Sequence, residues 1–302
     1  MPKTAPYFAA LGYATLFGFS FMFTRSALAH IGPFHLLGLR FALAAFLLGA
    51  LQLMGIIKIN LAWADYKKLL PLAFFQPLLY FAAETLGVQL TSSSYAGMMI
   101  AIIPIFVTIL ARIVLNERPR PLQYPFIFVS VGGVLFIMAM QNRTGLEAGG
   151  LGSILLLGAV LSAALYNIAS RQASRRYSPL AITWVMMLTG AIAFNAVALL
   201  LAPGGAGQYL ASLGAVWPAV LYLGALSSVA AFFLINYSLS QLTATQAAVF
   251  SNLTTIISIA AGTLFLHEPF RWYHAVGAAA ILTGIWGTNY FAGEKSRHKQ
   301  AA

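Results

Sequence analysis

The chain has 302 residues, of which 60% are hydrophobic and only 8% are charged. A water-soluble domain carries roughly 25% charged residues, so this composition excludes a soluble globule and indicates a surface that faces lipid. The net charge of +11 does not indicate a nucleic-acid partner, because the basic residues lie between apolar runs, as in positive-inside topology. The absence of cysteine excludes disulfides, thiolate nucleophiles and cysteine-based metal sites.

Apolar segments long enough to cross a bilayer follow one another along the chain. A membrane span needs about 20 mostly apolar residues, and charge clusters and Pro/Gly turns divide the sequence into ten such segments. They are 7–29, 33–54, 69–90, 94–115, 122–141, 150–171, 179–202, 214–238, 243–266 and 270–292. The first is interpreted as a membrane helix rather than a removed signal, because no strongly basic region precedes it. The sequence therefore predicts an all-α integral membrane protein with ten transmembrane helices.

The positions of Lys and Arg predict the orientation of these helices. With the N-terminus placed inside, 13 of the 17 basic residues fall on the inner side. The other four, Arg25, Arg40, Arg143 and Arg271, fall on the outer side or within the membrane. Because basic residues are enriched in cytoplasmic loops, both termini are expected in the cytoplasm.

The two halves of the chain resemble each other. A shift of 151 residues places 115–120 on 266–271 and pairs Arg25 with Arg176. Identity is sparse, so the pattern of spans carries more weight than the matching letters. Each half contains five spans, and an odd number places the second half upside down relative to the first. Inverted repeats of this kind are typical of alternating-access transporters, whose binding site lies between the halves.

This symmetry predicts the domain organisation, with a first five-helix repeat over 1–145 and a second, inverted repeat over 146–302. The second repeat carries a basic cytoplasmic tail, and the two repeats surround a central cavity. Each half ends its fourth helix with a Leu-x-Glu corner followed by proline, at 115–119 and 266–269.

Five-helix halves with these corners resemble the EamA-type transporters of the drug/metabolite transporter superfamily, over residues 7–292. The resemblance implies a secondary transporter in the plasma (inner) membrane of a bacterium or archaeon. It implies export of a small metabolite, such as an amino acid or a related amine. It also implies a central cavity lined by the first four helices of each half, with the fifth helix of each half at the periphery.

Glu84 is the only acidic residue deep within a predicted span. A charge there costs about 2.5–3.5 kcal/mol for the most unfavourable side chains, so Glu84 should face a cavity or a partner. Gln76, Tyr80 and Glu84 recur every four residues and share one polar helix face. On one interpretation Glu84 receives a cationic group of the substrate, or a coupling proton. On the other, it lies near the outer boundary and either snorkels toward the membrane surface or pairs with Arg25 or Arg40.

Further polar and aromatic side chains at membrane depth are candidates for the same site. Asn167, Asn236 and Asn252 need hydrogen-bond partners there, so each either lines the cavity or joins two helices. Tyr13 and Phe17 share a face of the first span, where aromatic rings also pack against lipid. A tryptophan in the seventh span fits either an interface anchor or a cavity wall. The candidate substrate-binding residues are Glu84, Tyr80, Gln76, Tyr13, Phe17, Asn167, Trp184, Asn236 and Asn252.

The leading hypothesis is a secondary transporter, monomeric or homodimeric, that exports an amino acid or related amine by alternating access. The 151-residue shift places Glu84 opposite Ile235, so the charge belongs to one half only, which suits an asymmetric substrate. Two alternatives stay open. One is a multidrug exporter of lipophilic cations, in which Tyr80 and Phe17 stack on the cation. The other is a passive channel.

Residue patterns typical of enzymes are absent from the sequence. The five histidines form neither a His-Glu-x-x-His pair nor any other paired metal-ligand spacing. There is no Gly-x-Ser-x-Gly nucleophile elbow, and no Gly-x-x-x-x-Gly-Lys-Ser/Thr loop for ATP hydrolysis. We therefore expect no enzymatic activity, no cofactor and no bound metal.

Overall fold

An apolar chain in lipid must satisfy its backbone hydrogen bonds internally, and a helix does this within one segment. The computed structural model describes residues 4–91, 93–142, 150–201, 213–265 and 269–298, and all regular structure within them is helical. The α-helices are α1 (Ala5–Leu28), α2 (Pro33–Leu53), α3 (Trp63–Ala73), α4 (Tyr80–Leu90), α5 (Ser93–Ile100), α6 (Ile103–Val114), α7 (Gln123–Asn142), α8 (Gly150–Ala173), α9 (Pro179–Leu201), α10 (Leu213–Leu221), α11 (Ala231–Gln241), α12 (Ala244–Val249), α13 (Ser251–Phe265) and α14 (Trp272–His298).

Two of the predicted spans contain a π-helical segment. Phe74–Leu79 joins α3 to α4, and Tyr222–Ala230 joins α10 to α11. In the first segment Gln76 has non-helical backbone angles, φ −146° and ψ 115°, and it precedes Pro77, which has no N–H to donate. The 151-residue shift places the first segment on 225–230, inside the second. The third helix of each half is therefore irregular at the corresponding position.

Two other predicted spans are interrupted. The fourth consists of α5 and α6, which are separated at residues 101–102, and the ninth consists of α12 and α13, which are separated at Phe250. Pro104 lies in the first turn of α6, where the missing N–H of proline has no helical partner to lose. The helix of the fourth span therefore restarts at this proline.

Eight helices of the described chain are long and apolar enough to cross a membrane, by length and composition. They are α1, α2, α3–α4, α7, α8, α9, α10–α11 and α12–α13. The fourth and tenth predicted spans are helical as well, as α5–α6 and α14, but α6 is a shorter apolar helix of 12 residues. The chain has the helices of a multi-pass membrane protein, and the count of ten spans stays a prediction.

Helices from the two halves of the chain interleave. The second helix of each half packs on its counterpart, α2 on α9, and so does the fifth, α7 on α14. Phe41 of α2 stacks on Phe194 of α9, with ring centroids 5.4 Å apart. Between α7 and α14, a Cβ on Gly133 would lie 2.8 Å from the main-chain oxygen of Gly277, so the small residues permit this close approach.

The first, third and fourth helices of each half contact helices of the other half. α1 packs against α11 and α13, and α8 packs in the same way against α4 and α6. The first helix of each half therefore contacts the third and fourth helices of the other half. This arrangement brings three of the irregular segments together inside the bundle, the π-helical segment at Gln76 and the breaks in the fourth helix of each half.

Candidate functional site

A narrow cavity lies among these irregular segments. About 50 Å³ of it is open to the centre of a water-sized sphere, which is room for only a few water molecules at roughly 10–15 Å³ each. Its walls come from the first, third and fourth helices of each half. The lining residues are Tyr13, Phe17, Ser20, Phe21, Gln76, Tyr80, Phe81, Glu84, Ile100, Ile103, Ala163, Asn167, Ile235, Ala248, Ser251 and Thr254.

The second helices do not reach this cavity. Among the described residues none from α2 or α9 lines it, because these two helices pack on each other. The expectation that four helices of each half form the wall is thus corrected to three. No lining residue of the described chain comes from α7 or α14 either, and that pair lies at the periphery as expected.

Glu84 lies in the cavity wall and is buried, with 3% of its surface exposed. Its Oε2 accepts a hydrogen bond of 3.1 Å from the Thr85 hydroxyl. Gln76 and Tyr80 line the same wall, as the four-residue spacing predicted, although the backbone at Gln76 is not helical. Tyr13, Phe17 and Asn167 also line the cavity, so six of the nine candidate residues come together here.

Arg40, one of the two partners that the sequence offered for Glu84, lies next to this wall. It is 2% exposed and lies inside the bundle. Its Nε donates to the Ser228 hydroxyl at 2.8 Å, and Nη2 donates to the Ser227 hydroxyl at 2.9 Å. The guanidinium carbon lies 4.2 Å from the ring centroid of Phe81, a cation–π distance. Phe81 lines the cavity, so Arg40 packs against the wall that carries Glu84, with which it interacts electrostatically.

The second half of the chain contributes hydroxyl and amide groups to the wall. The Ser251 hydroxyl is buried and has no hydrogen-bond partner within the part of the chain that the structure describes. Thr254 follows it by one helical turn and also lines the cavity. Asn167 donates from Nδ2 to the main-chain oxygen of Ala163 at 2.8 Å. Sequence reasoning missed both hydroxyl residues, because serine and threonine in helices commonly bond to their own helix and give no signal.

Lining positions in the two halves correspond. A shift of 151 residues relates three pairs on the third and fourth helices, and a shift of 146 relates two pairs on the first helices. The pairs are Glu84 with Ile235, Ile100 with Ser251, Ile103 with Thr254, Phe17 with Ala163, and Phe21 with Asn167. Four of the five pairs join a polar residue to an apolar one. The cavity wall therefore has symmetric positions but asymmetric chemistry.

An arginine closes one end of a helix pair in each half. Arg25, in the last turn of α1, donates to the last carbonyl groups of α4, and Arg171, near the end of α8, donates to those of α11. The bonds run from Arg25 to Val88 (3.0 Å) and Gln89 (3.1 Å), and from Arg171 to Leu239 (2.8 Å) and Ser240 (3.2 Å). The accepting residues are related by the 151-residue shift, so the two interactions are equivalent.

This equivalence corrects the sequence alignment of the first helices. The counterpart of Arg25 is Arg171, 146 residues later, and not Arg176 as the uniform shift predicted. The α1 and α8 registers differ by five residues from those of the other helices, and sparse identity could not reveal this. Arg25 also donates to carbonyl groups and not to Glu84, one of the two pairings that the sequence left open.

Glu117 extends the interaction at one of these two ends. Its Oε1 lies 2.9 Å from Nε of Arg171, and its Oε2 accepts from the Ala244 backbone N–H at 2.8 Å. The ion pair links the corner after α6 to the end of α8 and the start of α12. Glu117 is thus a structural residue at a loop corner. Its counterpart under the shift, Glu268, lies outside the described residues.

Comparison with known proteins agrees with this geometry. The chain matches the EamA-like transporter family twice, over residues 4–139 and 150–290. The chain belongs to this family. It is therefore a multi-pass membrane transporter rather than an enzyme, and each of the two matches covers one half of the bundle.

Relatives of this EamA-like transporter span nearly its whole length. It is 37% identical over 300 residues to the uncharacterized transporter YcxC of Bacillus subtilis, covering 98% of this chain and 96% of the relative. It is 26% identical to an uncharacterized transporter of Archaeoglobus fulgidus, over 90% of this chain and 94% of the relative. A crystal structure with 19% sequence identity superimposes with a TM-score of 0.70, over 93% of this chain and 97% of that one. This last similarity shows the fold alone.

The other three candidate residues of this EamA-like transporter join helices outside the cavity. Asn236 accepts at Oδ1 from the Tyr166 hydroxyl (2.8 Å) and the Ser170 hydroxyl (2.6 Å). Its Nδ2 donates to the Thr183 hydroxyl at 3.0 Å. The side chain thus ties α11 to α8 and α9, which is the joining role that the sequence left open for it.

Asn252 and Trp184 also bridge helices. Nδ2 of Asn252 donates to the Ser130 hydroxyl at 2.7 Å, between α13 and α7. Nε1 of Trp184 donates to the Tyr66 hydroxyl at 3.0 Å, between α9 and α3. Neither side chain lines the cavity. Asn252 lies on a lining helix, α13, but its side chain bonds to α7, and Trp184 lies on α9, which is outside the wall.

Proposed function

We propose that this protein is a secondary transporter that exports an amino acid or a related amine by alternating access. The observation that carries the proposal is the position of Glu84 in a narrow cavity whose wall also contains Asn167, Ser251 and Thr254. A buried carboxylate attracts a cationic amine strongly, because little water screens the charge. The hydroxyl and amide groups can bond the polar remainder of such a molecule. A coupling proton is the alternative cation for Glu84.

The proposed architecture is ten membrane helices in two inverted repeats, 1–145 and 146–302. It is supported by the two matches to one family, by the exchanged helix contacts and by the corresponding lining positions. Five helices in each half favour opposite orientations in the membrane. The excess of basic residues on one side favours cytoplasmic termini in a bacterial or archaeal inner membrane.

Alternating access needs two ends that open in turn around one site. Arg25 ties α1 to α4 at the proposed outer end, and Arg171 with Glu117 ties α8, α11 and α12 at the proposed inner end. The pairs α2–α9 and α7–α14 lie outside the cavity and can stay packed while the lining helices move. Substrate binding shifts the equilibrium between the two open states only by its differential affinity for them.

The test compares ligand binding and transport in wild-type protein and in Glu84→Gln. Detergent-purified protein is heated with a panel of amino acids, polyamines and quaternary amines, and positive compounds are then tested for exchange in proteoliposomes. We expect an amine to raise the unfolding midpoint of the wild type but not of Glu84→Gln. The matched control is Asp65→Asn, which removes a carboxylate outside the cavity and should respond like the wild type. Equal stabilisation of Glu84→Gln would contradict the proposal.

A second candidate, an exporter of lipophilic cations, is favoured by the aromatic character of the wall. The rings that line the cavity are Tyr13, Phe17, Phe21, Tyr80 and Phe81. Aromatic faces attract cations by about 0.5–2 kcal/mol each. Competition by many unrelated quaternary amines would favour this candidate, and one selective metabolite would favour the first. Saturable exchange across the membrane would exclude a passive channel.

A further inference from the structure

A second pocket, distinct from the central cavity, lies between α3 and the end of α8. It is larger, with about 470 Å³ open to the centre of a water-sized sphere. Its apolar floor includes Leu69 and Leu72, which are both buried. Three basic residues surround it, Lys68 on α3 and Arg175 and Arg176 in the turn after α8. The pocket thus combines an apolar base with a cationic rim.

This pocket is not the mouth of the central cavity. Ala163 lines the cavity and Gln172 lines the pocket, both on α8. They are nine residues apart, and nine residues make about two and a half turns of an α-helix. Their side chains therefore point to opposite sides of α8, and the pocket opens on the outer surface of the bundle.

The surface above the pocket is apolar and exposed. Leu161 and Leu165 are 41% and 37% exposed, and they precede Gln172 by about three and two helical turns on the same face of α8. On the neighbouring helix, Leu70 is 48% exposed. In a membrane these side chains face lipid tails. A continuous apolar strip therefore runs from the pocket along the membrane-facing side of α8.

The charge of the pocket is positive. Lys68 lies 3.7 Å from Asp65, and the Asp65 carboxylate also accepts from the Tyr177 hydroxyl at 3.0 Å. Arg175 and Arg176 are exposed and form no ion pair with any residue that the structure describes. The pocket lining has three basic side chains and no carboxylate among the described residues, and Asp65 approaches only Lys68 of the three. By the distribution of basic residues, this end of the bundle is the cytoplasmic end, where the leaflet carries anionic lipids.

We propose that this pocket binds the phosphate headgroup of an anionic phospholipid from the inner leaflet. The phosphate lies between Lys68, Arg175 and Arg176, and the acyl chains follow the exposed leucines of α8. Basic pockets between membrane helices suit such headgroups, and the bidentate geometry of arginine suits a phosphate. The site is independent of what the central cavity carries, and it rests on the orientation proposed above, with the termini in the cytoplasm.

The experiment measures the unfolding midpoint of delipidated, detergent-purified protein as phosphatidylglycerol is added, with phosphatidylcholine and inorganic phosphate as parallel additions. The test variant is Arg175→Gln/Arg176→Gln. The matched control is Arg112→Gln/Arg118→Gln, which removes two exposed arginines elsewhere on the same side. We expect phosphatidylglycerol alone to stabilise the wild type and the control. The test variant should need roughly thirtyfold more of it.

Native mass spectrometry provides a second readout that does not depend on stability, because it counts the phosphatidylglycerol molecules retained by each protein. The wild type and the control should retain one molecule more than the test variant. Equal loss of lipid in the control, or equal stabilisation by phosphatidylcholine, would overturn the proposal. Stabilisation by inorganic phosphate at similar concentrations would also overturn it, since the site would then recognise a free anion.

Discussion

The two halves of the chain give the cavity equivalent helices but different chemistry. The first half supplies Glu84 and all five aromatic rings of the wall. The second half supplies Ile235, small side chains, and the polar groups of Asn167, Ser251 and Thr254. On the proposed function, a symmetric framework would hold an amine in one orientation, with its cationic end toward Glu84. The framework determines where the cavity lies, and the unequal pairs determine what it can bind.

The two ends of the bundle are also built on equivalent helices but held by different interactions. Arg25 and Arg171 each donate to two carbonyl groups of a neighbouring helix. Within the described residues only Arg171 also forms an ion pair, and its partner Glu117 reaches a third helix through the backbone of Ala244. The end closed by Arg171 therefore has more interactions to break when it opens.

Moving the acid from one half to the other should have the largest effect. Glu84→Gln should weaken amine binding by about 10- to 100-fold, the loss of one charged hydrogen bond. Glu84→Gln/Ile235→Glu restores a carboxylate at the corresponding position, but in the half of the chain that supplies Asn167, Ser251 and Thr254. We expect no recovery of affinity, measured by thermal shift and by exchange in proteoliposomes. Full recovery would show that the polar pairs do not orient the ligand.

The two arginines should differ in their effect on stability. Arg171→Gln should lower the free energy of unfolding by about 1.5–3 kcal/mol, because it leaves the Glu117 carboxylate without its charged partner. Arg25→Gln removes bonds to neutral carbonyls only and should cost about 1 kcal/mol. A double-mutant cycle of Arg171→Gln with Glu117→Gln isolates the ion pair. Equal losses for the two arginines would mean that the ends are equivalent after all.

Two adjacent glycines in α7 can test whether packing between α7 and α14 affects the cavity. A Cβ on Gly133 would lie 2.8 Å from the main-chain oxygen of Gly277, whereas one on Gly132 would meet nothing within 4 Å. Gly133→Ala should destabilise the protein by about 1–3 kcal/mol through overpacking, and Gly132→Ala should not destabilise it. Neither should alter ligand affinity per folded molecule. A change in affinity would mean that α7 and α14 take part in the site.

Ser251→Ala should have the smallest effect. The hydroxyl has no partner within the described chain, so its removal should leave the unfolding midpoint unchanged while weakening ligand binding by about two- to tenfold. Ser162→Ala is the contrasting control, because that hydroxyl donates to the main-chain oxygen of Phe75 at 2.6 Å. It should lower the midpoint and leave affinity unchanged. A loss of stability in Ser251→Ala would argue against a ligand-facing hydroxyl.

The helical segments could be predicted from the sequence because a bilayer demands about 20 apolar residues for each crossing. The irregularities within the helices were only partly visible. Pro77 and Pro104 lie at two of them, whereas the π-helical segment Tyr222–Ala230 contains no proline. Its irregularity depends on packing against other helices, which no local pattern reports.

The sequence predicted site residues best where a side chain had no ordinary packing role at its position. Glu84 stands out because a charge in a membrane span needs a reason, and it does line the cavity. Ser251 and Thr254 gave no such signal. Applying the repeat shift to the fourth helix, from Ile100 and Ile103, would have found them. Arg40 was counted with the basic residues of the outer side or the membrane, since charge counting alone does not separate a loop from a bundle interior.

The pairing of α2 with α9 and of α7 with α14 has a consequence for how the polypeptide can be divided. Both interfaces join residues up to Asn142 to residues from Gly150 onward. The two halves of the single chain therefore form interfaces like those between the two subunits of a heterodimer. Two polypeptides separated between those residues and produced together should associate through these same interfaces. Each produced alone would present to lipid the surfaces that are shaped for the other.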